Sequence, residues 1–425
     1  MTPDSMSKAL RYRWFIFWIL AFAYIMVYFH RLCPAVLALD MMKDLKTGGA
    51  LIGFLGAAYF YPYALMQLPA GLLSDSWGPR RTITLFFCLA FGGSVLLALA
   101  PSVFWAIVGR TLVGIGVSML FVPTMKILAE WFRPREFATM TGILMAMGGV
   151  GSLSAAAPLA ALSSWIGWRS SFMAVGAFTL LLAILVWLYV RDRPGDFGWP
   201  ALHESRAPSG GATGLLQGVK KVLTYRYFWF LGVWFFFTLG IFFSFGGLWG
   251  GPFFMQVYGL TKGEASRILS MIAVGMVIGS PLLSFLSDRV FRGRKPVIML
   301  SSLILLGITA LLAFYTQHLP VPALYLLVLG LGIFSSAIVV IGFTTAKELF
   351  PVYMAGTSTG LINLFPFAGG AVFQPLLGYI LQLHVQPNGS FSVEGYRLAF
   401  LVLFGCAVVS VISTFFLRET ISRER

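Results

Sequence analysis

The eleven residues Gly71-Leu-Leu-Ser-Asp75-Ser-Trp-Gly78-Pro-Arg80-Arg81 decide how this chain is read. A long apolar run ends at the leucines, an acid follows, a Gly-Pro turn reverses the chain, and two arginines precede the next apolar run. Such punctuation is expected where a helix leaves a bilayer and another enters it. The stretch has an echo far downstream: Ser284-Phe-Leu-Ser-Asp288-Arg289, then Arg294-Lys295, with one residue inserted. A second pair repeats with it. Glu130-Trp-Phe runs to Thr141-Gly142, and Glu348-Leu-Phe runs to Thr359-Gly360, with twelve residues from glutamate to threonine in each. The chain is therefore an internal duplication.

Outward from these markers, the sequence is almost entirely apolar. Of 425 residues 58% are hydrophobic and 11% charged, where soluble globular chains are about a quarter charged. A soluble surface cannot be covered by so few polar groups, so the chain is a multispanning membrane protein. A crossing needs about 20 apolar residues. On that ruler twelve helices are predicted, at 14–37, 49–73, 82–100, 103–128, 138–162, 170–190, 227–250, 265–286, 296–316, 321–346, 355–383 and 396–417. The first follows Lys8, Arg11 and Arg13 like a signal peptide, but it is too long and lacks a small-residue cleavage site, so it is read as an anchor.

Of the 30 basic residues, 21 fall on the side of the two termini and six on the other. This asymmetry predicts cytoplasmic termini in a plasma (inner) membrane. The net charge of +15 lies in short clusters between spans and not in a stripe, which disfavours nucleic acid. Residues 191–226, with RDRPGD and APSGGATG, read as a cytoplasmic linker between six-helix bundles at 1–190 and 227–425. Cys33, Cys88 and Cys406 lie in apolar runs and propose neither disulfide nor metal. Catalytic and nucleotide-binding motifs are absent from any fitting context, so an enzyme is not expected, nor any cofactor.

These residues carry a family resemblance. The G-x-L-x-D-x-x-G-x-R-R loop resembles the signature between helices two and three of the major facilitator superfamily. Arg110-Thr-Leu-Val-Gly114-Ile-Gly116 resembles its helix-four R-x-x-x-G motif, and Gly148, Gly149, Gly151 and Pro158 loosely follow its helix-five pattern. The resemblance implies twelve helices in two pseudo-symmetric bundles, with a substrate site between them near the midplane. Asp75, Arg80, Arg81 and Asp288 then read as ion-pairing groups that hold one state of a rocking transition. Read without the family, they are topology signals and helix caps.

The 15 carboxylates all lie in termini, loops or helix ends, whereas Arg31, Arg110 and Lys126 fall within spans. A pathway lined by uncompensated cations selects anions. Tyr24, Tyr28 and Arg31 share one face of the first span, where a guanidinium can grip a carboxylate or phosphate bidentately while the phenols donate. Pro34 should free backbone groups beside it. Tyr28-Phe-His-Arg31 resembles the Y-x-x-R stretch of the anion:cation symporters and organophosphate permeases, whose arginine binds the substrate anion. The other reading of Arg31 is an interface anchor.

Lys126, in Pro123-Thr-Met-Lys126 ahead of Trp131-Phe132, resembles the cavity-facing basic position of sugar-phosphate permeases. Otherwise it snorkels to the cytoplasmic face. Arg110 reads as structural or coupling machinery. The resemblance is incomplete: span seven has no basic residue at 228–250, Gly148 stands where those permeases carry histidine, and His30 and Val117 replace the symporters' carboxylates. A phosphate ester is thereby disfavoured, and His30 becomes the proton-coupling candidate. A bound anion would favour its protonated form, although a neutral, backbone-bonded histidine fits equally. Gly246-Gly247-Leu-Trp249-Gly250-Gly251-Pro252 predicts an unwound gate, and Asn363 and Gln374 are hydrogen-bonding candidates in span eleven.

The expectation is a secondary transporter of a small organic anion, a monocarboxylate favoured, acting as a monomer by proton symport or anion exchange. The alternatives are a sugar-phosphate/phosphate exchanger and a transporter-like receptor for an anionic ligand.

Overall fold

The computed structural model describes residues 3–200, 212–351 and 354–420. Part of the linker, 201–211, with Arg206, lies outside the described residues, as does the tail 421–425. The described chain is helical apart from one isolated bridge between Val385 and Phe391. It is a multi-pass membrane protein.

In chain order the crossings are Pro3–Leu32, Gly49–Ser76, Pro79–Ala98, Val103–Ser118 with Phe121–Trp131, and Pro134–Ser154 running on into Ala157–Tyr189. Those of the second half are Arg226–Ser244 through Gly250–Val257, Lys262–Phe285, Arg294–Phe314, Val321–Leu331 through Val339–Glu348, Ala355–Ile362 with Leu364–Gln382, and Val393–Phe415. The 33 residues Ala157–Tyr189 would reach about 50 Å as one helix, far more than the 30 Å of a hydrocarbon core. Gly167 resolves this: at φ 80°, ψ 162° it turns the chain, so the stretch closes span five and supplies span six. Twelve crossings result, as predicted.

Proline marks the first span too. Pro34 has no N–H for the His30 carbonyl, and the Cys33 thiol donates to that oxygen instead, at 3.4 Å. Helix resumes at once as Pro34–Asp44. At the duplicated loop, Gly78 sits at φ 88°, a conformation that favours glycine. It reverses the chain ahead of Pro79, the first residue of span three.

Within the first half, span one packs on spans five and six, span two on four, and span three on four and six. Within the second, seven packs on eleven and twelve, eight on ten, and nine on twelve. Spans two and eleven, and five and eight, join the halves. We call the side holding the start of Pro3–Leu32 and the end of Val393–Phe415 the terminal face. On the opposite face the halves are in backbone contact: a Cβ on Gly49 would lie 2.8 Å from the Gly378 carbonyl, and one on Gly53 2.7 Å from Pro375 Cα. The amide of Ala50 donates to Gln382 Oε1 at 2.9 Å, and Lys262 pairs with Asp40 across the same seam.

The glycine-rich end of span seven departs from expectation. It does not unwind. Phe245–Trp249 forms a π-helical turn, with the Gly250 amide donating to the Phe245 carbonyl, and α-helix continues through Gly250–Val257. The widened turn absorbs an extra residue without freeing the backbone. The glycines serve proximity, since a Cβ on Gly251 would collide with the Ala35 carbonyl of the first half.

Candidate substrate site

Arg31 lies in the last turn of Pro3–Leu32 and is 6% exposed. Its guanidinium carbon sits 4.5 Å from the ring centroid of Tyr28, 5.0 Å from Tyr63, 5.0 Å from Phe367 and 5.8 Å from Phe243. Spans one and two supply the tyrosines, and spans seven and eleven the phenylalanines. The cage is tight: Tyr63 and Phe367 approach to 4.3 Å, and Phe60 and Phe243 to 4.7 Å. Arg31 forms no ion pair with any described carboxylate, and its Nε has no hydrogen-bond partner among the described residues. Ring faces attract a guanidinium but leave its charge in place. A buried cation at the seam of the halves, without a counter-ion among the described residues, is electrostatically suited to an anion.

Tyr24 and Tyr28 stand below Arg31 on the same face. The hydroxyl of Tyr24 reaches Met145 Sδ at 3.5 Å, and its ring leans on Phe121 at 5.8 Å. Gly148 in span five makes room for both: a Cβ there would lie 2.7 Å from Tyr28 and 3.2 Å from Tyr24. The tyrosine rings thus fill the volume that a histidine at 148 would need. Asn363 donates to Gln67 Oε1 at 3.2 Å across the seam, one helical turn from the Tyr63–Phe367 contact. Gln374 is committed elsewhere, donating to the Phe243 carbonyl at 2.7 Å, while its own backbone carbonyl accepts from Trp249 Nε1 at 2.9 Å. Trp249 and Gly250 are buried in the sealed opposite face.

Span two was missed as a contributor. Tyr59, Tyr63 and Gln67 form an i, i+4, i+8 stripe there, the same helical-face signal that singled out Tyr24, Tyr28 and Arg31. Tyr59 lies between Arg31 and Arg110. Its ring is 4.8 Å from Arg110, and its hydroxyl donates to the Val27 carbonyl at 3.2 Å. Arg110, 1% exposed, has only a long contact to Cys33 Sγ at 3.7 Å, and its Nε and Nη2 have no partner among the described residues.

Lys126 is not in the cage, which corrects the sequence reading. Its ammonium donates to Asp75 Oδ1 at 2.6 Å and to the Ser74 carbonyl at 3.0 Å. Span four breaks at Met119 and Leu120, and the short helix Phe121–Trp131 aims Lys126 at the end of span two. The expected pairing of Asp75 with its neighbouring arginines is corrected with it. Gly78 swings Arg80 toward span six, where Nε and Nη2 donate to the Trp187 carbonyl at 3.0 and 2.6 Å and the backbone amide donates to Asp192 Oδ1 at 2.7 Å. Burial pushes the Asp192 carboxyl above its ordinary range, and the Arg80 amide opposes that shift. Arg81 is exposed. Asp288 does pair with an arginine, Arg294, which also holds Glu348 at 3.0 Å. These acid–base sets tie helices within a half and do not bridge the halves.

His30 faces away from the cage. It is fully buried, with Nε2 3.4 Å from Thr179 Oγ1 in span six and Nδ1 without a partner among the described residues. The Thr179 hydroxyl donates to Val175 O at 2.9 Å, so it accepts from an Nε2–H imidazole, a tautomer assigned from the network. Among the described residues no group of three or more His, Cys, Asp or Glu gathers as a metal site.

The model of the Major Facilitator Superfamily matches residues 17–373 and 250–425. An uncharacterized transporter, YybO, of Bacillus subtilis is 25% identical over 95% of each chain. A probable galactarate/D-glucarate transporter, GudP, of Escherichia coli is 23% identical over 92% of this chain and 93% of its own. A probable hexose phosphate transport protein of Chlamydia trachomatis is 22% identical over 96% and 92%. Among solved structures, a bacterial homolog of the human lysosomal transporter Spinster superposes with a TM-score of 0.77 at 20% identity, covering 96% of both chains.

Proposed function

The chain belongs to the major facilitator superfamily and is a transporter of that family, and we propose that it carries a small organic anion which binds at Arg31. One observation carries this reading: a buried guanidinium without a carboxylate partner among the described residues, enclosed by rings from both halves. An anion there touches side chains of spans one, two, seven and eleven together, so its binding energy bears on how the bundles 1–190 and 227–425 close around it. Tyr28 and Tyr24 donate to the bound anion, and Asn363 with Gln67 supplies further hydrogen bonds at the seam.

A monocarboxylate is favoured over a phosphate ester. With Lys126 engaged by Asp75, the cage offers one full positive charge, and a phosphate ester carries close to two. The relatives named for galactarate/D-glucarate and for hexose phosphate keep sugar acids and sugar phosphates in the test. Transport proceeds by proton symport or anion exchange, with His30 as the proton candidate, acting through Thr179 and the Arg110 surroundings and not by contact with the substrate. The membrane is a bacterial-type inner membrane, with cytoplasmic termini.

Binding to the folded state raises its apparent stability. A thermal-shift panel of monocarboxylates, aldarates, sugar phosphates and amines, on wild type and Arg31→Ala, tests the proposal. Stabilisation by carboxylates that vanishes in the variant is expected. Stabilisation by amines, or by anions equally in both proteins, overturns it.

A further inference from the structure

At the terminal face, the ends of spans seven and twelve line a groove of about 390 Å³ that the transport site does not use. Its floor is aromatic. The rings of Phe230 and Phe416 stack at 5.1 Å with 19° between their planes, and Phe415 and Phe416 are 56% and 53% exposed. Its rim is cationic. Arg226 is the first residue of span seven, and Arg418 follows the end of span twelve.

Neither arginine meets a described carboxylate. Arg226 Nη2 donates to the Tyr227 hydroxyl at 2.8 Å, and Arg418 Nη1 to the Tyr225 hydroxyl at 2.9 Å. Phenols have a reference pKa of about 10 and cancel no charge near neutrality. Glu419, next in sequence, turns away and accepts from the backbone amides of Arg294 and Lys295 at 2.9 and 3.1 Å. Lys295 adds a third cation beside the groove, with its ammonium donating to the Phe415 carbonyl at 2.7 Å.

Planar forks with donors to spare, above an apolar floor where two spans end, fit an anion with a long apolar body. We infer that this groove binds the phosphodiester headgroup of an anionic glycerophospholipid, with an acyl chain lying along Phe230 and Phe416. Guanidinium forks match phosphate oxygens in pairs, and basic pockets between spans suit anionic headgroups. The site is separate from the Arg31 cage and stands whether or not the transport reading holds.

The test uses the full chain in nanodiscs of phosphatidylcholine alone and of phosphatidylcholine with phosphatidylglycerol in equal parts. Native mass spectrometry counts the lipid retained, and melting in phosphatidylcholine alone confirms folding. Wild type is expected to retain phosphatidylglycerol preferentially. Arg226→Gln with Arg418→Gln should lower that preference about tenfold, the size of losing charge-assisted contacts. Arg226→Lys with Arg418→Lys should keep part of it. Arg11→Gln with Arg133→Gln, which removes equal charge from the same face, should leave it intact. Undiminished preference in the glutamine pair overturns the inference, and so does equal loss in the Arg11 and Arg133 pair, which means surface charge alone. Competition by inorganic phosphate or glycerol phosphate as effective as that by lipid reassigns the groove to a soluble anion and also overturns it.

Discussion

A guanidinium held among Tyr28, Tyr63, Phe243 and Phe367 gains about 0.5–2 kcal/mol from a ring face, and the charge itself remains available. Hydrogen bonds to charged groups contribute about 1.5–3 kcal/mol, and 1.4 kcal/mol is about one decade of affinity. Arg31→Ala should therefore weaken anion binding at least about tenfold by isothermal titration. Arg31→Lys should restore only part, since an ammonium keeps the charge and loses the planar fork. Wild-type affinity in a folded Arg31→Ala protein would make Arg31 an interface anchor. Lys126 behaves differently because Asp75 already holds it. Lys126→Ala and Asp75→Asn should each leave affinity within about threefold, or about 0.65 kcal/mol, while changing the rate of uptake in proteoliposomes. A tenfold loss of affinity in Lys126→Ala would return that lysine to the site and reopen the two-charge substrate.

At the scale of elements, the twelve crossings were legible because apolar length and positive flanks are properties of composition, which a sequence displays directly. The face of span one bearing Tyr24, Tyr28 and Arg31 was legible for a similar reason, since helical period places residues on a face. What span two and span four contribute was not legible in the same way. Lys126 sits on a helix restarted after the break at Met119 and Leu120, and a break of unknown angle erases the face that period assigns. The glycines near Trp249 announced an irregularity but not its kind, because unwinding and a π turn draw on the same residues. The turn has a consequence of its own. A methyl group on Gly251 meets the Ala35 carbonyl, whereas one on Gly250 lies 2.8 Å from the Phe245 carbonyl within the same span. Gly251→Ala should thus wedge the halves apart on the opposite face, with transport falling more than equilibrium binding does. Unchanged uptake in proteoliposomes would mean that this contact is no part of the transport cycle.

For the whole molecule, the question is what holds the opposite face shut. Spans two and eleven meet there backbone to backbone, and Lys262 of span eight pairs with Asp40 beyond span one, joining the halves by charge. The neighbouring pair Arg169–Asp44 at 2.7 Å stays within the first half and should be indifferent to opening. A latch that exists in one state and breaks in the other biases the equilibrium by its own free energy. For a partly exposed ion pair that is about 0.2–1 kcal/mol, or up to about fivefold in population. Asp40→Asn and Lys262→Gln should each shift spin-label distances between the ends of spans two and eleven toward longer values by that modest factor. The exchanged pair Asp40→Lys with Lys262→Asp should return them to the wild-type distribution. Arg169→Gln should leave the distribution unchanged. Because the bias acts on one state and not on the cage around Arg31 directly, ligand affinity should move by no more than the population does. If neither single variant moves the distances, the ion pair is incidental and the glycine contacts alone close the face. If the exchanged pair fails to restore them while both singles open the face, Asp40 and Lys262 act through separate neighbours and not through each other.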